Sequence, residues 1–211
     1  MTINAFEKAT GIKITKHSNG LKMEGFSSLS TCARDNVRCA ENAKVKGSIC
    51  AKCFASRAFN VHKNLEASTR RNGKILRDRL FEVSELPTLN ADYFRIESFG
   101  DVGNVTQARN YIRLAKANPG TRFGWWTKNP DIIDAAIKLE GRPKNISFVL
   151  SSLMLNQEAS AARWPWVDVV FTVYDKTHTD VKINCGGTHC MDCLRCYKKH
   201  RKLIHVAERL K

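Results

Sequence analysis

The amino-acid order predicts an α/β protein, a partial (β/α) barrel of five or six parallel strands with cysteine-rich segments near both ends. Three observations lead there. Short β-branched and aromatic runs alternate with stretches whose apolar residues recur at helical spacing, which implies parallel strands joined by crossovers. Five or six such units are too few to close an eightfold barrel. The eight cysteines fall into two groups, within residues 32–53 and 185–196, that bracket the alternating region. An open doubly wound sheet is the competing architecture, and periodicity does not separate the two.

A chain of 211 residues with 43% hydrophobic residues suits one domain, residues 1–211, with an ordinary core. Residues 1–21 read as an N-terminal extension, 22–184 as the α/β core, and 185–211 as the second cysteine group with a closing basic helix. Within the core, 22–31 is a short strand that leads into a cysteine-bearing loop. Residues 55–81 carry apolar side chains at helical spacing among Arg57, Lys63, Arg70, Arg71, Lys74, Arg77 and Arg79, a long basic amphipathic helix weakened by Gly73. Pro87 ends that pattern, and 93–98 has the content of a strand. A helix at 105–117, a strand at 121–127, a helix at 131–139 opened by Pro130, and a buried strand at 145–151 follow. A helix at 155–163, a strand at 167–174 and a short strand at 180–184 complete the core, and 198–210 reads as the basic closing helix.

Thirty-five Lys and Arg against 20 Asp and Glu give a formal charge of +15, which points to nucleic acid as a partner or to a strongly solvated surface. No apolar run approaches the roughly 20 residues that cross a bilayer. Met1-Thr2-Ile3-Asn4 has neither the charged start nor the apolar block of a secretory signal. The cysteines are therefore expected in a reducing cytoplasm, as thiolates rather than disulfides. Oligomeric state is not legible.

Cys185, Cys190, Cys193 and Cys196 follow the spacing CxxxxCxxCxxC. A zinc site usually draws on two separated knuckles that converge on one ion. A cubane cluster presents four irons, so closely spaced thiolates can each take a corner. One or two iron–sulfur clusters of the 4Fe-4S kind are thus expected, with zinc as the alternative. Cys32, Cys39, Cys50 and Cys53 are more loosely spaced, but Cys53 stands at the expected start of a helix, where the dipole and free amides favour anionic sulfur.

Taken together, Cys50-Ala51-Lys52-Cys53-Phe54-Ala55, the basic helix, Ser98-Phe99-Gly100-Asp101, an Ala- and Leu-rich helix, Phe123-Gly124-Trp125-Trp126-Thr127-Lys128 and the late cysteine group resemble the phage gene product 88 family. The likeness covers most of residues 28–197 and implies a phage or mobile-element origin, hence a host cytoplasm. More distantly, the order of parts is similar to the radical S-adenosylmethionine enzymes. That resemblance implies a cluster held by three cysteines and S-adenosylmethionine as cofactor. It puts Phe99, Gly100 and Asp101 at the turn that contacts the cofactor's amino group, Thr127 and Lys128 at the end of the third strand, and Ser151 and Ser152 at the end of the fourth. Lys46 stands where the first cysteine of the usual CxxxCxxC would be, so a third ligand would come from Cys32 or Cys39.

Two functions follow: an iron–sulfur enzyme of radical S-adenosylmethionine type with unknown substrate, or a non-catalytic, zinc- or cluster-stabilised nucleic-acid-binding protein. Other residues carry two readings each. Glu97 and Asp101 either act at a site or cap the helix near Asn104. Trp125 and Trp126 belong to the core or stack on a base. Tyr174, Asp175 and Lys176 line a cleft or make a turn. Lys198, Lys199, Arg201 and Lys202 grip phosphates or solvate a helix face, His189 is a neighbour of Cys190, and His178 and His205 have no assigned role.

Overall fold

A computed structural model describes residues 1–17, 20, 22–186 and 189–210. Residues 18, 19, 21, 187, 188 and 211, which fall in the expected extension and cysteine-rich C-terminal segment, lie outside them. The chain begins with α1 (Ile3–Thr10), β1 (Thr15–Lys16) and β2 (Ser27–Leu29), then α2 (Val37–Lys44), α3 (Phe54–Val61) and α4 (Lys63–Asp78). The alternating part comprises β3 (Tyr93–Ile96), α5 (Val105–Ala117), β4 (Arg122–Thr127), α6 (Pro130–Glu140), β5 (Ile146–Ser151) and β6 (Val169–Tyr174). A one-turn helix α7 (Cys190–Cys193) and β7 (Ile204–Arg209) finish it.

The seven strands form one open sheet in the order β1 to β7, antiparallel at β1–β2 and parallel thereafter. Spatial order follows chain order throughout, so the reversal that defines a doubly wound sheet is missing. Period-two alternation divides the side chains between two faces. Phe94, Ile96, Phe123, Trp125, Ile146, Phe148 and Leu150 pack with Leu76, Ala108, Tyr111, Ile112, Ala115, Ile133 and Ala136 of α4, α5 and α6. The opposite, inner face carries Tyr93, Arg95, Gly124, Trp126, Ser147 and Val149, and its apolar part is a cluster of Val149, Val169 and Val206 with Trp126, Phe171, Ile204, Cys185 and Cys196.

That second cluster fixes the hand of one connection. Helical crossovers between β3, β4 and β5 lie on one face of the sheet, whereas the β6–β7 connection passes over the other while the strands advance in the same direction. The two kinds of crossover therefore have opposite hands, and right-handed connections account for nearly all such units in proteins. Tyr197 anchors the unusual connection, with its ring centroid 4.7 Å from Phe26, 6.1 Å from Tyr93 and 5.5 Å from Trp126. Lys22 forms an ion pair with Glu208 of β7. Residues 22–25 are folded as a turn before β2, so this ion pair ties the chain entering β2 to β7.

Several expectations need correction. The closing helix over 198–210 is instead an exposed strap and then β7, because Ile204 and Val206 alternate onto the inner face while the Lys/Arg run before them has no apolar stripe. Residues 180–184 are not a strand, so β7 is the sixth parallel member. The helix expected at 55–81 is broken at His62 (φ −109°, ψ 79°) into α3 and α4. Residues 155–163 are irregular: Asn156 has φ 66°, and Ser152 Oγ accepts from the Ala159 amide at 2.9 Å. The supposed N-terminal extension contributes Phe6 and Ile12 to the core.

Gly124 lies beneath Tyr197. A methyl group there would stand 2.6 Å from Tyr197 Cε1 and 2.8 Å from Trp126 Cζ3, whereas one at Gly120 would meet nothing within 4 Å. Gly124→Ala is expected to cost about 1–3 kcal/mol and roughly 3–10 °C in Tm, with Gly120→Ala near neutral. Thermal melts of both variants check this, and equal Tm values would contradict the packing described.

Candidate functional site

Three cysteines of the first group occupy the starts of short helices. Asn36 caps α2, accepting from Arg38 N (3.0 Å) and Cys39 N (3.4 Å), and its Nδ2 donates to Asp101 O (2.8 Å), so the turn bearing Cys39 is tied to the loop after β3. Cys50 lies in a 3-10 turn capped by Ser48, whose Oγ accepts from Cys50 N at 3.0 Å. Cys53 is the N-cap residue of α3. The Cys50 segment is pinned to the loop after β5 by Ile49 N to Leu153 O (2.9 Å) and Leu155 N to Gly47 O (3.0 Å). The loop after β2 thereby spans the C-terminal ends of the intervening strands.

Cys39 lies within electrostatic reach of Cys50, Cys53, Asp101 and Glu97, and Cys50 within reach of Lys128. Burial, then Asp101 and the neighbouring sulfurs, pushes the Cys39 thiol well up; burial also raises Cys50, against the Lys128 ammonium. Cys32 stands differently. It is wholly buried with Ala33, Ala55 and Phe59, and burial raises its thiol although the backbone N–H groups of Arg34 and Asp35 approach the sulfur.

Behind the trio lies a buried carboxylate. Glu97 closes β3 with φ 57°, a strained conformation for a side-chain-bearing residue. Its Oε1 accepts from Tyr111 OH (2.6 Å), Gln107 Nε2 (2.7 Å) and Thr31 Oγ1 (2.8 Å), and its Oε2 from Thr31 N (3.0 Å). Burial outweighs these donors and raises its pKa to about 7, with Asp101 adding to the rise.

The expected cofactor residues divide. Phe99 stacks on His17 (5.9 Å, 20° between planes) and meets Phe54 and Phe59 at 6.1 and 6.3 Å. Gly100 is required by packing, since a methyl carbon there would lie 2.3 Å from Thr31 O. Asp101 is buried and accepts from Val102 N (2.8 Å), Thr127 Oγ1 (2.8 Å) and Lys128 N (2.7 Å), so it organises the β4 end rather than capping α5, whose cap is Asn104. Lys128 Nζ donates to Ser151 Oγ (2.8 Å), next to the cysteines. Ser152 points away, paired with Thr172 Oγ1 at 2.8 Å.

The second group sits on the inner face. Cys196 is within electrostatic reach of Cys185, Cys190 and Cys193, and burial, then Cys185, pushes its thiol up to about 12. Cations surround it: Lys22 Nζ donates to Cys185 Sγ (3.2 Å), and Arg95 lies within reach of Cys190 and Cys196. The Arg95 guanidinium stacks on Trp126, 3.2 Å from the ring centroid, so the arginine takes the ring face that a base would need. Trp125 is wholly buried in the helix-side core. The Tyr197 hydroxyl is buried beside Arg95 without meeting hydrogen-bond geometry. Among the described residues, no three His, Cys, Asp or Glu side chains are arranged to close on a single ion.

Sequence reasoning had no signal for Lys22, Thr31, Gln107 or Tyr111, whose roles depend on partners 10 to 186 residues away. Tyr174 is buried, Asp175 makes a turn with Thr177 and Asn156, His178 pairs with Asp175, His205 with Glu158 at 3.1 Å, and His189 lies 3.7 Å from Glu24. No described helix is long and apolar enough to cross a membrane.

The family model described as Gene product 88 matches residues 4–210. No curated protein and no solved structure gives a significant match.

Glu97 carries a pH prediction. Its folded pKa, about 7, exceeds the ordinary 4.5, so the protonated carboxyl favours the fold. That contribution is full below the unfolded value and is lost as pH rises through about 7. Between about pH 5 and pH 8, wild type should lose roughly 2–3 kcal/mol relative to Glu97→Gln. Urea denaturation of both proteins at the two pH values measures it; parallel pH dependences would refute it.

Proposed function

The chain belongs to the Gene product 88 family, and we propose that it is an iron–sulfur enzyme of the radical S-adenosylmethionine type, built on a partial (β/α) barrel. The observation that carries this reading is the difference in burial between Cys32 and its companions: Cys32 is wholly buried, whereas Cys39, Cys50 and Cys53 stay partly exposed, Cys39 and Cys53 packing against its cluster. Three partly accessible thiols gather at the C-terminal ends of the strands, where such sheets place their ligands, while the fourth is buried against backbone N–H groups. A trio of thiolates suits a cubane cluster with one iron left unligated by protein. Such a cluster, when bound and reduced, supplies the electron that cleaves S-adenosylmethionine.

The chain's own groups have definable parts. Lys128, steadied by Ser151, offsets anionic sulfur at Cys50. Asp101 fixes the Lys128 backbone, and Asn36 ties Cys39 to the same loop. Phe54, Phe59 and Phe99 form an apolar wall beside Cys53 that limits water, and Phe54 is 58% exposed, ready to cover a ligand. Zinc in the same thiolates would make the first site purely structural.

Anaerobic purification with iron and sulfide analysis tests the reading. Cys39→Ala should lose the iron and sulfide of one cubane, and Cys32→Ala should keep it. S-adenosylmethionine should perturb the electron paramagnetic spectrum of the reduced wild type and of Cys32→Ala. Zinc in place of iron, equal losses in both variants, or a fully occupied cluster indifferent to S-adenosylmethionine would each overturn it.

A second reading, binding to nucleic acid, has its own support. Helix cations are largely committed: Arg34 and Arg70 to Glu66, Arg109 and Arg113 to Glu140, Arg71 to Gly11 O, Arg77 to Asp35 O. Lys198, Lys199, Arg201 and Lys202 are exposed on the strap before β7, and no acidic residue lies between Asp192 and Glu208. If these four engage phosphates of duplex DNA, affinity should fall about 10²-fold between about 50 and 200 mM salt, a slope near −3.6. Fluorescence anisotropy with a labelled duplex measures the slope, and one unaffected by changing all four to Gln would sink this reading.

A further inference from the structure

The second cysteine group sits where the fold most needs a fastening. β7 joins the sheet through a connection of the opposite hand to the helical crossovers, and that connection contains no helix longer than the single turn α7 among the described residues. Its backbone is irregular, with Leu194 at φ 50°. Among its direct contacts, Cys190 N donates to Lys22 O (2.8 Å), Asn184 N and Cys185 N donate to Ala207 O (3.1 and 2.9 Å), and Tyr197 wedges over Gly124. Cys185 and Cys196 pack on Val149, Val169 and Val206, while Cys193 is exposed.

We propose that Cys185, Cys190, Cys193 and Cys196 form a closed four-thiolate metal centre that clasps the β6–β7 crossover to the inner face of the sheet. The other three sulfurs are within electrostatic reach of Cys196, Lys22 donates to Cys185, and Arg95 faces Cys190 and Cys196, so two cations, the first also paired with Glu208, complement the negative charge that four thiolates carry. Each thiol gives its proton to solvent on binding, and the metal's affinity then adds to the stability of the fold. The sulfurs as placed do not close on a single ion, so the ligand that fits is a cubane cluster, which spreads four irons over four separated thiolates and leaves no position for substrate. It is independent of the first site, which lies at the C-terminal strand ends and offers three thiols.

Whole-protein metal analysis, paired with limited trypsin digestion, tests the clasp. Lys198, Lys199, Arg201 and Lys202 make the strap beside the centre a natural trypsin target. Cys190→Ser/Cys193→Ser should lose one metal centre and be cut in the strap at least ~10-fold faster, through local opening. Cys50→Ser/Cys53→Ser should keep the second centre and the wild-type cutting rate. Acid-labile sulfide released together with iron is expected from the cluster; one bound zinc without sulfide would overturn it. Should the quartet variant not fold, wild type stripped by a chelator under reducing conditions supplies the same comparison, with near-UV circular dichroism reporting the Trp126–Tyr197 packing. Unchanged strap cleavage after loss of metal, or metal content explained by the first site alone, would overturn the proposal.

Discussion

Everything on the inner face depends on the stack of Arg95, Trp126 and Tyr197. Strand order that advances in one direction puts the helical crossovers on one side, so the other side must be covered by something else. Here it is covered by residues 184–186 and 189–197, and the contact that seats them is an aromatic ring laid over a glycine, with a guanidinium stacked on the adjoining tryptophan. Burying that much aromatic surface stabilises the covering segment, while the orphaned Tyr197 hydroxyl opposes it.

The two cysteine groups sit in contrasting electrostatic settings. Around the first, buried carboxyls of Glu97 and Asp101 accompany Lys128, so both signs of charge are present. Lys22, paired with Glu208, and Arg95 attend the second, backed by an apolar floor of valines. The formal charge of +15 is likewise uneven in its use, since helix arginines bind carboxylates and carbonyls while the strap lysines face solvent.

Periodicity served well where packing follows it. The strands from Tyr93 to Tyr174 and the helices at 105–117 and 130–140 all sit within a residue or two of their expected places, because their apolar residues face one helix layer. It failed where tertiary partners overrule local pattern. Ile204-His205-Val206-Ala207 is strand because β6 offers it a ladder, and the lysines before it mimicked a helix only by composition. The site was half legible. Cysteine spacing marked both groups, and glycine and aspartate at a strand end marked residues 100 and 101, yet Gly100 serves a backbone approach and Asp101 a loop. Ser151 and Ser152 looked equivalent; strand alternation alone decides that one meets Lys128 and the other Thr172.

The opposite-handed β6–β7 connection also bears on the order in which the polypeptide assembles. The ladder from β1 to β6 is complete by Tyr174, so those strands can pair while the last 37 residues are still emerging from the ribosome. Until the remainder arrives, Val149, Val169 and Trp126 are left without their cover. A newly made chain thus passes through a period in which a sticky surface waits on the arrival of β7, and termination before Cys185 would leave the hazard permanent.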